Sequence, residues 1–214
     1  MPSSATTDPP PFFLTETDHA VLGQTDEEFV YHDWEELKDI IAQNKLELLK
    51  RTPSDLRRYL AWTTGIKEKY GSIMNYICQE RLRWPITADP QTLAVNPIPF
   101  ADPNDFLILR NDWPYGLMPD ITHLCVWLKP KIAVTPGDGD VTDESRKLID
   151  DFVSRTFIAR LSKVFDDAPD RVQWFKNWTS LQSVRALEHI HVLVRAVPEE
   201  ILVEWTGEHA KVAM

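Results

Sequence analysis

His189-Ile190-His191-Val192-Leu193-Val194 is the stretch on which the fold turns. Its branched and apolar residues suit an extended chain, with the strand expected over Ile190 to Val194. Side chains two apart then share a side, so His189 and His191 present their imidazoles together. Three other short runs read the same way: Phe106 to Arg110, His123 to Leu128 and Val172 to Phe175. Between the last two, Pro136-Gly137-Asp138-Gly139-Asp140 is a turn, and a helix starts at Thr142 with Asp143 and Glu144 in its first turn. Leu148, Phe152, Thr156 and Ala159, with neighbouring Ile149, Val153 and Phe157, supply its apolar face. A short helix over Pro198 to Trp205, followed by Gly207, closes this half.

The first third carries a different period. Asp33 is a helix cap for Trp34, Leu37, Ile40 and Ile41, and Thr52-Pro53-Ser54-Asp55 opens a helix that runs to Gly71. Ser72 to Arg81 reads as a further helical stretch. Pro85, Pro90, Pro97, Pro99 and Pro103 exclude helix interior and central strand, which makes residues 84–104 an extended connection over the surface. The expected class is therefore α+β: an N-terminal helical half and a C-terminal, mostly antiparallel sheet of about four strands with one long helix. Residues 1–24, with four prolines, read as a largely disordered tail. One domain is expected over 25–207, divided into a helical part (25–83), the proline-rich connection (84–104) and a sheet part (105–207).

The 214 residues are 43% hydrophobic and 26% charged, an ordinary globular composition. With 23 basic against 33 acidic residues the net charge is −10, so the chain has no broad footprint for duplex nucleic acid or an anionic membrane. The apolar runs are too short to span a bilayer, and Met1 to Pro11 has neither signal-peptide nor transit-peptide character. A cytoplasmic location is expected, with the nucleus not distinguished from it. Cys78 and Cys125 read as reduced core thiols.

Two segments beside expected strands gather cations, amides and aromatic rings: Arg110-Asn111-Asp112-Trp113-Pro114-Tyr115-Gly116, and Trp174 through Arg185. Such residues suit a phosphorylated ligand, with guanidinium for phosphate, amides for a base edge and an aromatic face for stacking. Arg110, Lys129, Lys131, Lys176 and Arg185 are expected to form a local positive pocket in this acidic chain. Taken singly, each is equally at home in a surface ion pair, as each tryptophan is in a core. The pair His189 and His191 suits ligand contact, a structural pair or metal ligation. Leu193 at the third alternate position breaks the histidine-triad pattern, and the sequence does not place a third metal ligand, for which His123 and Asp112 are the candidates. No metal is therefore assigned. Asp138 and Asp140 lack the later acidic ligand of a calcium loop, and no Walker, Gly-x-Gly-x-x-Gly, Gly-x-Ser-x-Gly or His-Glu-x-x-His motif occurs.

Asn111-Asp112-Trp113-Pro114-Tyr115-Gly116, His123 to Lys129, Trp174-Phe175-Lys176-Asn177-Trp178, Leu181-Gln182-Ser183-Val184-Arg185 and His189 to Val194 together resemble the fungal N-acetylglucosamine-induced protein family, over roughly Phe29 to Trp205. The resemblance implies a nucleotide-binding protein, for a cytidine nucleotide such as CTP, linked to the aminosugar response and without an established catalytic activity. The residues themselves suggest Lys129, Lys176 and Arg185 for the phosphates, Trp113 or Tyr115 beside the base, and Asn111, Asn177 and Gln182 as readers of its edge. Arg110, His123, His189 and His191 complete the expected ligand site. No cofactor is called for, magnesium entering only with a bound nucleotide. The competing readings are a phosphoryl- or nucleotidyl-transfer enzyme using His189 or His191, and a module whose aromatic loops contact a protein.

Overall fold

The protein is described here from a computed structural model covering residues 14–137, 139–179, 181–182 and 184–210. Residues 1–13 of the expected tail, Asp138 of the turn, and Ser180 and Ser183 lie outside the described residues. Inside the stretch expected as tail, Glu16–Leu22 forms helix α1, because Thr15 and Asp18 cap each other reciprocally and satisfy two free N–H groups. Helix α2 (Trp34–Ala42) starts where the Asp33 carboxylate accepts the Glu36 N–H at 2.9 Å. Helix α3 (Pro53–Tyr70) runs between the Thr52 cap and Gly71, whose φ of 78° ends it. Helix α4 (Ile73–Tyr76) continues into a wider π turn over Ile77–Leu82.

Strands β1 (Phe106–Arg110), β2 (Ile121–Leu128), β3 (Val172–Phe175) and β4 (Glu188–Arg195) form one antiparallel sheet in the order β1-β2-β4-β3. Helix α5 (Asp143–Val153) passes through a π turn (Ser154–Ile158) into α6 (Ala159–Leu161), and α7 (Glu199–Thr206) ends at Gly207. Alternation along the strands sends Leu124, Val126, Leu128, Ile190, Val192 and Val194 into one core with α5 to α7. Phe152 and Phe157 are fully buried there. The apolar stripe of this helix is Ile149, Phe152, Val153, Phe157 and Leu161, whereas Leu148 and Ala159 face solvent. The π turn carries an extra residue per turn, so Phe157 rather than Thr156 follows Phe152 inward. The proline-rich connection also dips below the surface, placing buried Phe100 on Phe152 with ring centroids 4.3 Å apart.

The opposite face of the sheet is covered by the N-terminal helices in two apolar clusters. Ile121, Leu193 and Phe175 meet Trp34, Leu37 and Ile40 of α2. Leu109, Cys125 and Trp127 meet Ile77, Cys78 and Leu82. The protein is thus α+β, with helices on both faces of the sheet. Both cysteines are free and buried. Among the described residues no helix is long and apolar enough to cross a membrane.

Gly116 fixes the loop between β1 and β2. Its N–H donates to the Lys50 carbonyl at 2.8 Å and its carbonyl accepts from His32 N–H at 2.9 Å, while a Cβ there would lie 2.4 Å from a Phe29 ring carbon. Gly116→Ala must displace a buried ring held inside this frame. It is expected to lower stability by about 1–3 kcal/mol in urea unfolding; an unchanged midpoint would show that Phe29 yields freely.

A candidate ligand cavity between the helices and the sheet

Where the two apolar clusters part, a cavity of about 110 Å³ lies between the N-terminal helices and the sheet. Its wall is aromatic. Tyr59 and Trp62 come from successive turns of α3, Tyr76 from α4 and Trp113 from the loop after β1, and the Trp62 ring centroid lies 5.3 Å from that of Trp113 and 5.2 Å from that of Tyr76. The floor is the sheet, which contributes Cys125 and Trp127 from β2 and His189 and His191 from β4. Asn177, just beyond β3, closes one side.

The floor is a continuous polar network. Antiparallel pairing sets Cys125 opposite His191, and His123 Nε2 lies 2.9 Å from His191 Nδ1 with Cys125 Sγ 3.5 Å from the same nitrogen. Asn111 Nδ2 contacts the His123 ring at 3.2 Å, and Asn177 Nδ2 contacts His191 Nε2 at 3.3 Å. Gln182 Nε2 donates to the Asn177 carbonyl at 2.7 Å, holding that residue from behind. The Leu187 carbonyl lies 2.9 Å from His189 Nδ1, which places the proton there and leaves Nε2 as an acceptor. Tyr115 stacks on His123 with ring centroids 5.3 Å apart.

Burial decides the charge of this floor. It pushes His123 down to about 3, assisted by the positive charge of Arg51 and by His189. His191 is held well below its ordinary value by burial and then by His123 and His189. Burial also lowers His189, partly opposed by the hydrogen bond to Leu187, and raises the Cys125 thiol. At neutral pH the floor therefore offers neutral imidazoles, a thiol and amides: lone pairs and N–H groups for a polar, uncharged ring.

Charge sits at the rim. Arg81 pairs with Asp112 at 2.8 Å and with Glu208, and Arg110 pairs with Glu199 at 2.7 Å and takes Glu208 on its backbone N–H. Arg51, just ahead of α3, lies 4.4 Å over the Tyr59 ring and donates to the Trp113 carbonyl at 3.3 Å. Among the described residues it has no carboxylate partner.

Of the residues singled out in the sequence, Arg110, Asn111, Trp113, Tyr115, Asn177, His189 and His191 line this cavity, with His123 directly behind His191. The five cations expected to share one positive pocket do not converge. Lys129 is 3.5 Å from the buried Asp105 carboxylate, Lys176 is buried against Glu188 at 3.0 Å, Lys131 is exposed, and Arg185 is exposed near Trp178 and Thr179. Lys129 and Lys176 are held by carboxylates distant in sequence. Arg51, Tyr59, Trp62, Arg81 and Cys125 were not foreseen as site residues. The signal for Cys125 was present in its two-residue offset from His123, the same alternation that aligns His189 with His191.

Residues 33–195 match the family model described as a protein of unknown function, DUF3605. The chain is 32% identical to N-acetylglucosamine-induced protein 1 of Candida albicans over 185 residues, covering 80% of this chain and 71% of that protein. It is 29% identical to the uncharacterized protein YPL067C of Saccharomyces cerevisiae, covering 75% and 77% of the two chains. A crystal structure of HTC1 superposes with a TM-score of 0.59 at 26% identity, over 78% of this chain and 86% of that one.

Proposed function

The chain belongs to the DUF3605 family, and from that premise we propose that it binds a nucleotide, of the cytidine class such as CTP, as part of a response to N-acetylglucosamine. The observation that carries the binding reading is the cavity itself. Indole and phenol rings stand over a floor of neutral imidazoles and amides, and Arg51 waits at the rim without a carboxylate partner among the described residues. About 110 Å³ is room for a single ring system. Ligand sites for whole drug-sized molecules span roughly 300–1,000 Å³. The base would enter between Trp113 and the sheet, with Asn177 and His189 as edge readers, and the phosphates would remain outside with Arg51 and any magnesium. The aminosugar link rests on the name of the Candida relative.

Calorimetric titration with nucleoside mono-, di- and triphosphates and UDP-sugars, with and without magnesium, tests this. Cytidine nucleotides are expected to bind, and at 100 times the dissociation constant to add about 2.7 kcal/mol of stability. Arg51→Ala should weaken binding by about 1.5–3 kcal/mol, the scale of a charge-assisted hydrogen bond. Arg185→Ala, away from the cavity, should leave it unchanged. Failure of every nucleotide to bind the folded protein ends the reading. Multiple turnovers abolished by His189→Ala would replace it with the transferase.

A further inference from the structure

We propose that His123, Cys125 and His191 form a binding site for one borderline-soft divalent cation of the zinc type on the inner face of the sheet. This inference stands apart from the nucleotide reading, since it rests on three side chains of the floor and on no property of the ligand above them.

All three residues are buried, and their donor atoms lie within 4.8 Å of one another. Zinc bonds of about 2.3 Å to sulfur and 2.0–2.1 Å to nitrogen place ligands of a tetrahedral ion roughly 3.6 Å apart for a sulfur–nitrogen pair and 3.3 Å for two nitrogens. The Cys125 Sγ to His191 Nδ1 separation of 3.5 Å agrees with this, and the His123 Nε2 to His191 Nδ1 separation of 2.9 Å needs to open by a few tenths of an ångström. A small rotation of either ring about its side-chain bonds supplies that.

His123 and Cys125 project from the same face of β2, two residues apart, and His191 lies directly across the ladder from Cys125. Both are central strands of the sheet, so the ligand set is held by backbone hydrogen bonds rather than by a loop. A metal-bound histidine has its other ring nitrogen engaged by a fixed polar group, and Asn177 stands 3.3 Å from His191 Nε2. Turned to present its oxygen, the Asn177 amide accepts the Nε2 proton and leaves Nδ1 bare for the ion. The outer end of this amide is buried and has no protein partner, and Asn177 lines the cavity together with Cys125 and His191. Three protein donors with the remaining position facing a cavity is the arrangement of zinc sites that keep an exchangeable ligand. Metal binding releases the Cys125 proton to solvent, and the resulting thiolate with two imidazoles selects against magnesium and calcium, which take oxygen donors.

The full chain, stripped with chelator and titrated with Co²⁺ and then Zn²⁺, provides the test. One equivalent of Co²⁺ should bind with a thiolate-to-cobalt charge-transfer band and visible d–d bands, and Zn²⁺ should displace it. Cys125→Ser should abolish the charge-transfer band, His191→Ala should weaken binding at least 100-fold, and Asn177→Ala should weaken it roughly 10- to 100-fold. Cys78→Ser, at a buried thiol outside the cluster, should change nothing. The proposal is overturned if the folded wild-type chain binds no stoichiometric metal, if the cobalt complex lacks the thiolate band, or if Cys125→Ser binds as the wild type does. Should the variants not fold, X-ray absorption of the zinc-loaded wild type decides alone: one sulfur near 2.3 Å with nitrogen neighbours near 2.0 Å supports the site, and an all-oxygen or all-nitrogen shell overturns it.

Discussion

Glu188→Ala is expected to cost about 3–5 kcal/mol of folding stability, the scale of breaking a buried ion pair by removing one partner. Lys176 and Glu188 flank the loop between β3 and β4, with side chains 6% and 14% exposed and the ammonium 3.0 Å from the carboxylate. Glu188 also accepts the Ile132 N–H at 3.2 Å. Alanine leaves the lysine charge buried without compensation and that amide without its acceptor. Much of the loss should return in the double variant Lys176→Met with Glu188→Gln, which removes the charge from both sides and keeps an acceptor for Ile132. Urea unfolding of the three proteins measures it. A loss below about 1 kcal/mol for Glu188→Ala would mean that the pair behaves as an exposed one.

Mild acid should destabilise the metal-free protein. His32, His123, His189 and His191 are all buried, and in each the burial lowers proton affinity relative to the unfolded chain. The native state therefore binds fewer protons than the unfolded state below the unfolded value of 6.5. Their contribution is fully present above that pH and is lost as pH falls through it toward the folded values. His123, held to about 3, is unprotonated in the native state at pH 5. That costs roughly 2 kcal/mol at pH 5 relative to pH 7.5, with His191, His32 and His189 acting in the same direction. Carboxylates titrate lower, so the window from 6.5 to 5 isolates the histidines. Urea midpoints of chelator-treated protein between pH 7.5 and 5 at constant ionic strength should fall steeply, and His123→Asn should flatten the curve. A stability independent of pH across this window would contradict neutral burial of these rings.

The division between what is legible in the sequence and what is not follows the range of the interactions involved. Caps, turns and the period-two alternation are local, so Asp33, Thr52-Pro53, Gly71 and Thr142 mark helix ends, and the strand cores at 106–110 and 172–175 are legible at their observed limits. The same alternation by itself sets His189 and His191 on one face of a strand. Capping also explains where the sequence reading falls short at α1, whose Thr15–Asp18 box lies in a stretch otherwise dominated by its prolines.

Tertiary structure decided everything that depends on which strand lies beside which. The order β1-β2-β4-β3 sets Cys125 across from His191, a pairing between residues 66 apart that no local pattern encodes. It likewise decided the charges. Arg81 found Glu208, 127 positions away, and Arg110 found Glu199, 89 positions away. A cation's fate is set by the carboxylate that folding brings within about 4 Å, where the Coulomb energy in a partly buried site reaches several kcal/mol. Composition shows only that carboxylates are plentiful; the backbone's long-range path selects which cations they neutralise and leaves Arg51 at the mouth of the cavity.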